Sequence, residues 1–217
     1  ALLECLRGPD GCPWDKEQTH ESLKRYLLEE SYEVLEAIDQ QATAKLPEEL
    51  GDVLLQIVFH AQIASEAGEF TIDDVLESLR EKLVRRHPHV FGKAQVSDAR
   101  EVEYNWHVIK RGEQADGESS ILGGVPRAMP ALSYAQSVQE RASGVGFDWE
   151  DVRGVLAKVD EEVREIEEAV SAEEQEAELG GLLFSIVNFS RWLGVDAESA
   201  LRGADDRFKK RFALMER

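Results

Sequence analysis

Leu, Val and Ile recur along this chain at i, i+3, i+4 and i+7, and alternation of period two never persists for the length of a strand. An all-α fold follows. The spacing predicts helices over 1–7, 19–40, 46–67, 72–86 and 98–111, then 130–142, 150–170, 173–193 and 196–216. Breakers fall between them: "GPDGCPW" at 8–14, Pro47 at a helix start, "EAGEF" at 66–70 and "HPHVFG" at 87–92. "TIDD" at 71–74 sets Thr71 before an acidic first turn, the pattern of a helix cap. Residues 112–130, "GEQADGESSILGGVPRAMP", concentrate Gly, Pro, Ser and acid and read as a linker between domains at 1–111 and 131–217.

The two sides of that linker echo each other. "EESYEVLEAI" at 29–38 is matched by "EEVREIEEAV" at 161–170, and "EELGDVLLQIVF" at 48–59 by "AELGGLLFSIVN" at 177–188. The first match has one offset, 132 (162 − 30 and 165 − 33), and the second an offset of 129 (178 − 49). The difference falls in the turn between the two helices, where length is tolerated. "KLVRRH" at 82–87 likewise pairs with "RFKKRF" at 207–212. A tandem repeat of one helical unit is the reading.

Within the repeated unit, acidic residues interrupt the apolar stripe. Glu30 and Glu33 form one i,i+3 pair, and Glu49 and Asp52 another, so each pair shares a helix face. The short connection "QQATAKLP", 40–47, predicts antiparallel neighbouring helices that turn the pairs toward each other. An isolated acidic pair is ordinarily a solvated face. Here Leu27, Leu28, Val34, Leu35 and Ile38 surround the first pair, and Val53, Leu54, Ile57 and Val58 follow the second. Four converging carboxylates repel and partly protonate unless a cation neutralises them. Mg2+ meets that need, with Mn2+ as its substitute, because it takes a few carboxylates and bridges to substrate phosphates.

Charge and composition narrow the partners. The chain has 217 residues, 42% hydrophobic and 32% charged, with a net charge of −19. That balance opposes nucleic-acid binding and an anionic membrane surface, both of which need clustered Lys and Arg. It leaves room for a small anionic substrate that brings a cation with it. Cys5 and Cys12 are too few to staple a chain of this length, which favours reduced thiols in a cytoplasmic setting. "ALLECLRG" does not read as a signal peptide, and the longest apolar run is too short to span a membrane.

"EESYE" followed by "ELGD" resembles the EExxE…ExxD signature of the all-α nucleoside triphosphate pyrophosphohydrolases, and "GCPWDKEQTH", "KLVRRHPHVF", "GVPRAMPAL" and "GVGFDW" are similar to the MazG family within that group. The resemblance runs over nearly the whole chain. It implies four-helix-bundle-type packing on homodimerisation, and Mg2+-dependent cleavage of NTP or dNTP between the α- and β-phosphates. It implies that Glu30, Glu33, Glu49 and Asp52 hold metal, and that Glu29 either supports them or acts as base for the attacking water. Lys82, Arg85 and Arg86 are candidate phosphate contacts, with Lys110 a weaker one. Cations at a helix end also satisfy the helix dipole. Trp14 and Trp106 are candidate base-stacking residues against the plainer role of core plugs. His87 and His89, in a turn, read as structural.

The second copy departs from the pattern. It keeps Glu161, Glu162, Glu165 and Glu178, but Gly181 stands where the first copy has Asp52, and Asp205 and Asp206 precede its basic cluster. A degenerate second site, serving packing or regulation, is therefore expected. A di-iron carboxylate bundle would draw on Glu-x-x-His pairs, and neither Glu33 nor Glu49 has a His three residues on. The remaining alternative is a helical dimer that binds nucleotides or a protein partner without hydrolysis.

Overall fold

A computed structural model describes residues 2–113 and 120–216. The expected linker lies partly outside these residues, at 114–119. Among the described residues every regular element is helical. In chain order they are α1 (Leu2–Arg7), α2 (Pro13–Glu17), α3 (His20–Asp39), α4 (Leu46–Ala67), α5 (Ile72–Arg86), α6 (Pro88–Phe91), α7 (Ala99–Gly112), α8 (Ala131–Ser143), α9 (Val152–Glu168), α10 (Ala172–Trp192) and α11 (Ala197–Met215). The chain divides into two compact units, Ala1–Val96 and Ser97–Arg217, so α7 groups with the second unit.

Two helices escaped the periodicity. Pro13 and Pro88 belong to segments that the sequence predicts as breakers, yet each sits in the first turn of a short helix, α2 and α6. Proline is at home there because the first-turn N–H has no intrahelical partner to lose.

The first unit is organised by the α3–α4 hairpin. Thr19 and Ser22 cap α3 reciprocally, each side chain meeting the other's backbone N–H. Thr71 and Asp74 do the same for α5. Between α3 and α4 the chain reverses through Gln41, a non-glycine residue at φ 54°, and Ala42 N–H donates back to the Ala37 carbonyl at 2.8 Å. α4 ends at Gly68, whose φ of 71° is the left-handed cap that favours glycine. Leu3, Leu23 and Phe59 form the buried core, with Tyr26, Val58 and Ile63 against it. Arg7 ties α1 to the end of α4 through Glu66, at 2.7 Å.

The second unit is organised the same way around α9 and α10, with α8 and α11 packed alongside. Asp151 caps α9, Ser171 caps α10 and Asp196 caps α11 through their side-chain oxygens.

One expectation changes. The apolar neighbours of the acidic pairs are not buried within the chain: Leu28 is 56%, Ile38 53% and Leu54 56% exposed. A two-helix hairpin has too little opposing surface to cover an apolar stripe this wide.

Candidate metal-binding site

The acidic pairs converge on the α3–α4 hairpin. Glu30 projects from α3, and Glu49 and Asp52 from the first two turns of α4. Carboxylate oxygens of these three lie within 4.8 Å of one another. Glu33, one turn beyond Glu30, is within hydrogen-bonding reach of Glu49. Glu29 adds negative charge beside Glu30. The start of α4 is the positive end of its helix dipole, which eases the accumulation of acid there. It does not remove the repulsion. Burial, then Asp52, Glu33, Glu29 and Glu49, hold the Glu30 carboxyl above the usual glutamate value. Burial and the neighbouring Glu33 do the same to Glu49.

No lysine or arginine pairs with Glu30, Glu49 or Asp52 among the described residues. The donor set is all oxygen and anionic, which suits a hard divalent cation.

The other expected residues fall elsewhere. Lys82, Arg85 and Arg86 lie in the last turns of α5, Lys82 and Arg85 exposed and Arg86 half-buried. They are not part of the carboxylate cluster. Trp14 is half-exposed and packs edge-on to Tyr26, with ring centroids 5.8 Å apart. Trp106 and Lys110 are half-buried on α7, in the other unit. His87 lies close to the Leu83 carbonyl, at 2.6 Å, and ends α5.

The second hairpin carries an acidic cluster of its own. Oxygens of Glu162, Glu165 and Glu178 lie within 4.8 Å of one another, and Glu162 is buried. Here a cation is built in. Lys158 Nζ lies 2.8 Å from Glu161, 2.9 Å from Glu162 and 3.6 Å from Glu165. Hydrogen bonds to Glu161 and Glu162 raise the Lys158 ammonium well above the ordinary lysine range, and the same contact lowers Glu161. Gly181 on α10 lies against Glu162. A Cβ there would stand 2.1 Å from Glu162 Oε2, so the Glu162 side chain fills the vacated space. The sequence signal for Lys158 was present as glutamates three, four and seven residues after it.

Residues 18–91, which contain the first hairpin, match the family of the MazG nucleotide pyrophosphohydrolase domain. The chain is 54% identical over 216 residues to the nucleoside triphosphate pyrophosphohydrolase/pyrophosphatase MazG of Thermotoga maritima, covering all of this chain and 83% of that protein. The chain belongs to the MazG family. It is 44% identical over 223 residues to the nucleoside triphosphate pyrophosphohydrolase of Escherichia coli, covering all of this chain and 85% of that relative. It is also 50% identical over 220 residues to the Bacillus subtilis protein YabN, spanning only 45% of it. Membership in MazG brings a hydrolase fold to the acidic hairpin.

Proposed function

We propose that this MazG protein hydrolyses nucleoside triphosphates, ribo or deoxy, to the monophosphate and diphosphate, using Mg2+ held on the first hairpin, with Mn2+ able to replace it. The observation that carries the reading is the set of three convergent carboxylates, Glu30, Glu49 and Asp52, with which no lysine or arginine pairs among the described residues. The names of the relatives supply the reaction class.

Glu30, Glu49 and Asp52, with Glu33 beside Glu49, would hold the ion. When bound, Mg2+ supplies charge neutralisation at the phosphates and lowers the energy of the departing diphosphate. Glu29 and Glu33 stand at the edge of the cluster, where a carboxylate can orient the attacking water and accept its proton. The proton on that water passes to the carboxylate as the oxygen bonds to the α-phosphorus, and the α–β bridging bond breaks to release diphosphate. Lys82, Arg85 and Arg86, at the end of α5 in the same unit, are the candidates for phosphate contacts, and Trp14 is the candidate for stacking on the base.

The acting unit is a homodimer in this reading. Leu28, Leu35, Ile38, Leu54 and Ile57 leave an apolar stripe on the surface, and a second copy is the natural cover for a self-complementary patch. The second hairpin is a degenerate repeat of the first, with Lys158 in the place of an ion. The two free cysteines fit a reducing cytoplasm. No described helix is long and apolar enough to cross a membrane.

The test is diphosphate release from the four NTPs and four dNTPs, with Mg2+ and then with EDTA. Mg2+-dependent release together with monophosphate supports the reading. Orthophosphate would mean that a different bond is cut. Binding without any release would favour a non-catalytic nucleotide-binding dimer.

A further inference from the structure

At the open end of the α3–α4 hairpin, away from the acidic cluster, two histidines meet. His20 stands in the first turn of α3, and His60 lies on α4 beyond Asp52. Their Nδ1 atoms are 2.7 Å apart, and the rings are parallel to within 2° with centroids 5.0 Å apart. At that separation one nitrogen carries a hydrogen and the other presents its lone pair. Eight residues of α4 (60 − 52) separate His60 from Asp52, about 12 Å of helix, so the pair is no part of the carboxylate site.

The pair adjoins the core. His20 precedes Leu23 by one helical turn and His60 directly follows Phe59, and these two with Leu3 of α1 form the buried cluster of the first unit. His20 is exposed and His60 half-buried. The charged groups on the surrounding elements have partners of their own. On α3, Glu21 pairs with Lys24 at 2.6 Å and Arg25 lies over the Tyr26 ring. On α1, Arg7 is held by Glu66 of α4 and by the Asp15 and Gln18 carbonyls. Lys16 of α2 donates to the Pro9 carbonyl, and Asp74 of α5 accepts from Thr71. Glu17, at the end of α2, is exposed. None of these acts on His60: burial, and after it His20, hold the His60 imidazole below the ordinary histidine value.

One added proton is compatible with this geometry. Taken from solvent at Nε2 of the exposed His20, it leaves the Nδ1–H···Nδ1 bond in place and strengthens it, because the donor is then charged. A second proton can go only to His60 Nδ1, between the two nitrogens, where the His20 hydrogen already stands. Two imidazolium rings this close face each other N–H to N–H and repel. We propose that His20 and His60 form an acid-sensitive latch between the start of α3 and α4, closed by one shared hydrogen and opened when both rings are protonated. Opening loosens the end of the hairpin on which Leu3 of α1 packs. The stability that the latch supplies is present above the ordinary histidine value, about pH 6.5, and is lost as pH falls through the lower folded value of His60.

A double-mutant cycle on the full chain, in EDTA, tests this. Denaturant midpoints of wild type, His20→Gln, His60→Gln and the double variant are compared at about pH 7.5 and about pH 5. The cycle cancels whatever titrates elsewhere, the raised carboxylates included. At the higher pH the substitutions should be coupled, the second lowering the midpoint less once the first is made. At the lower pH the coupling should vanish or change sign. Ring nitrogen-15 shifts give a second readout, with the pair assigned by the signals that His20→Gln loses or moves. In wild type the two rings should titrate in steps more than about one pH unit apart. In His20→Gln, His60 should titrate once, at a higher pH than the second wild-type step. Should His60→Gln fail to fold, the wild-type and His20→Gln titrations still decide. Absence of coupling at about pH 7.5, equal coupling at both pH values, or two rings titrating independently near the ordinary histidine value would overturn the latch. Neither readout uses nucleotide or metal, so failure here is separable from failure of the catalytic reading.

Discussion

The α3–α4 and α9–α10 hairpins face one electrostatic problem and answer it differently. Each gathers three carboxylates within 4.8 Å. In the first, Glu30 and Glu49 are pushed up by burial and by their acidic neighbours, and among the described residues no side-chain cation pairs with them. In the second, Lys158 is bonded to Glu161 and Glu162, and Glu162 occupies the space that opened at Gly181. A cluster that lacks an internal cation stays open to an external one. A cluster that contains a lysine has that charge met from within. If the two hairpins are copies of one unit, Lys158 answers to Tyr26 and Gly181 to Asp52, and those two positions are the centre of the contrast.

The largest expected effect breaks the comparison at its functional end. Asp52→Asn or Glu49→Gln should lower the Mg2+-dependent rate of diphosphate release on the order of 100-fold or more, because each removes charge from the group that holds the ion. Glu162→Gln should leave that rate within about twofold of wild type if Lys158 has replaced the ion there. Steady-state release measured on all three variants decides it. A large loss from Glu162→Gln would mean that the second hairpin takes part in turnover.

A smaller effect is expected from trying to turn the second hairpin into the first. Gly181→Asp alone should destabilise the protein by about 1–3 kcal/mol, the usual consequence of overpacking, because Glu162 is held by Lys158 and cannot readily yield. Adding Lys158→Tyr should free Glu162 to move. The double variant should then gain a rise in unfolding temperature on adding Mg2+, beyond the rise the wild type shows. Thermal melts with and without the ion measure this, and an unchanged Mg2+ response would show that the missing aspartate is not what keeps the site closed.

These experiments follow features that differed in how legible they were. Helices α4 and α5 appear at 46–67 and 72–86, the spans that the apolar spacing and the Thr71 cap predict. α2 and α6 did not show, because a proline reads as a stop unless the turn it opens is considered together with it. The convergence of Glu30, Glu49 and Asp52 was legible, since i,i+3 spacing on two adjoining helices leaves few alternatives. The exposure of Leu28, Ile38 and Leu54 was not, because periodicity tells which face is apolar and not what covers it. Lys158 was overlooked because a lysine among glutamates looks like an ordinary surface pair. Only the burial of Glu162 shows that this one neutralises an interior group. The cavity lined by residues of α8, α9 and α10 needed the structure outright, because no sequence pattern reports a volume.

The smallest effect concerns pH, and the two hairpins should respond with opposite sign. Without metal, Glu30 and Glu49 have values raised above those of the unfolded chain. Their favourable contribution is complete below the ordinary glutamate value and is lost as pH rises through the higher folded values. Glu161 has a lowered value, caused first by its hydrogen bond to Lys158. Its contribution is present above the ordinary glutamate value and is lost as pH falls through the lower folded one. In EDTA, then, Glu49→Gln should melt higher than wild type at about pH 7 and lose that advantage toward about pH 4. Glu161→Gln should melt slightly lower than wild type at about pH 7, with the gap closing in acid, and its exposed position keeps that shift small. Mg2+ should reverse the sign for Glu49→Gln alone, because only that substitution removes a group the ion would engage. Melting curves across that range, with and without Mg2+, read both hairpins in one series. Parallel pH profiles for the two variants would show that the clusters are neutralised in the same way and that the comparison fails.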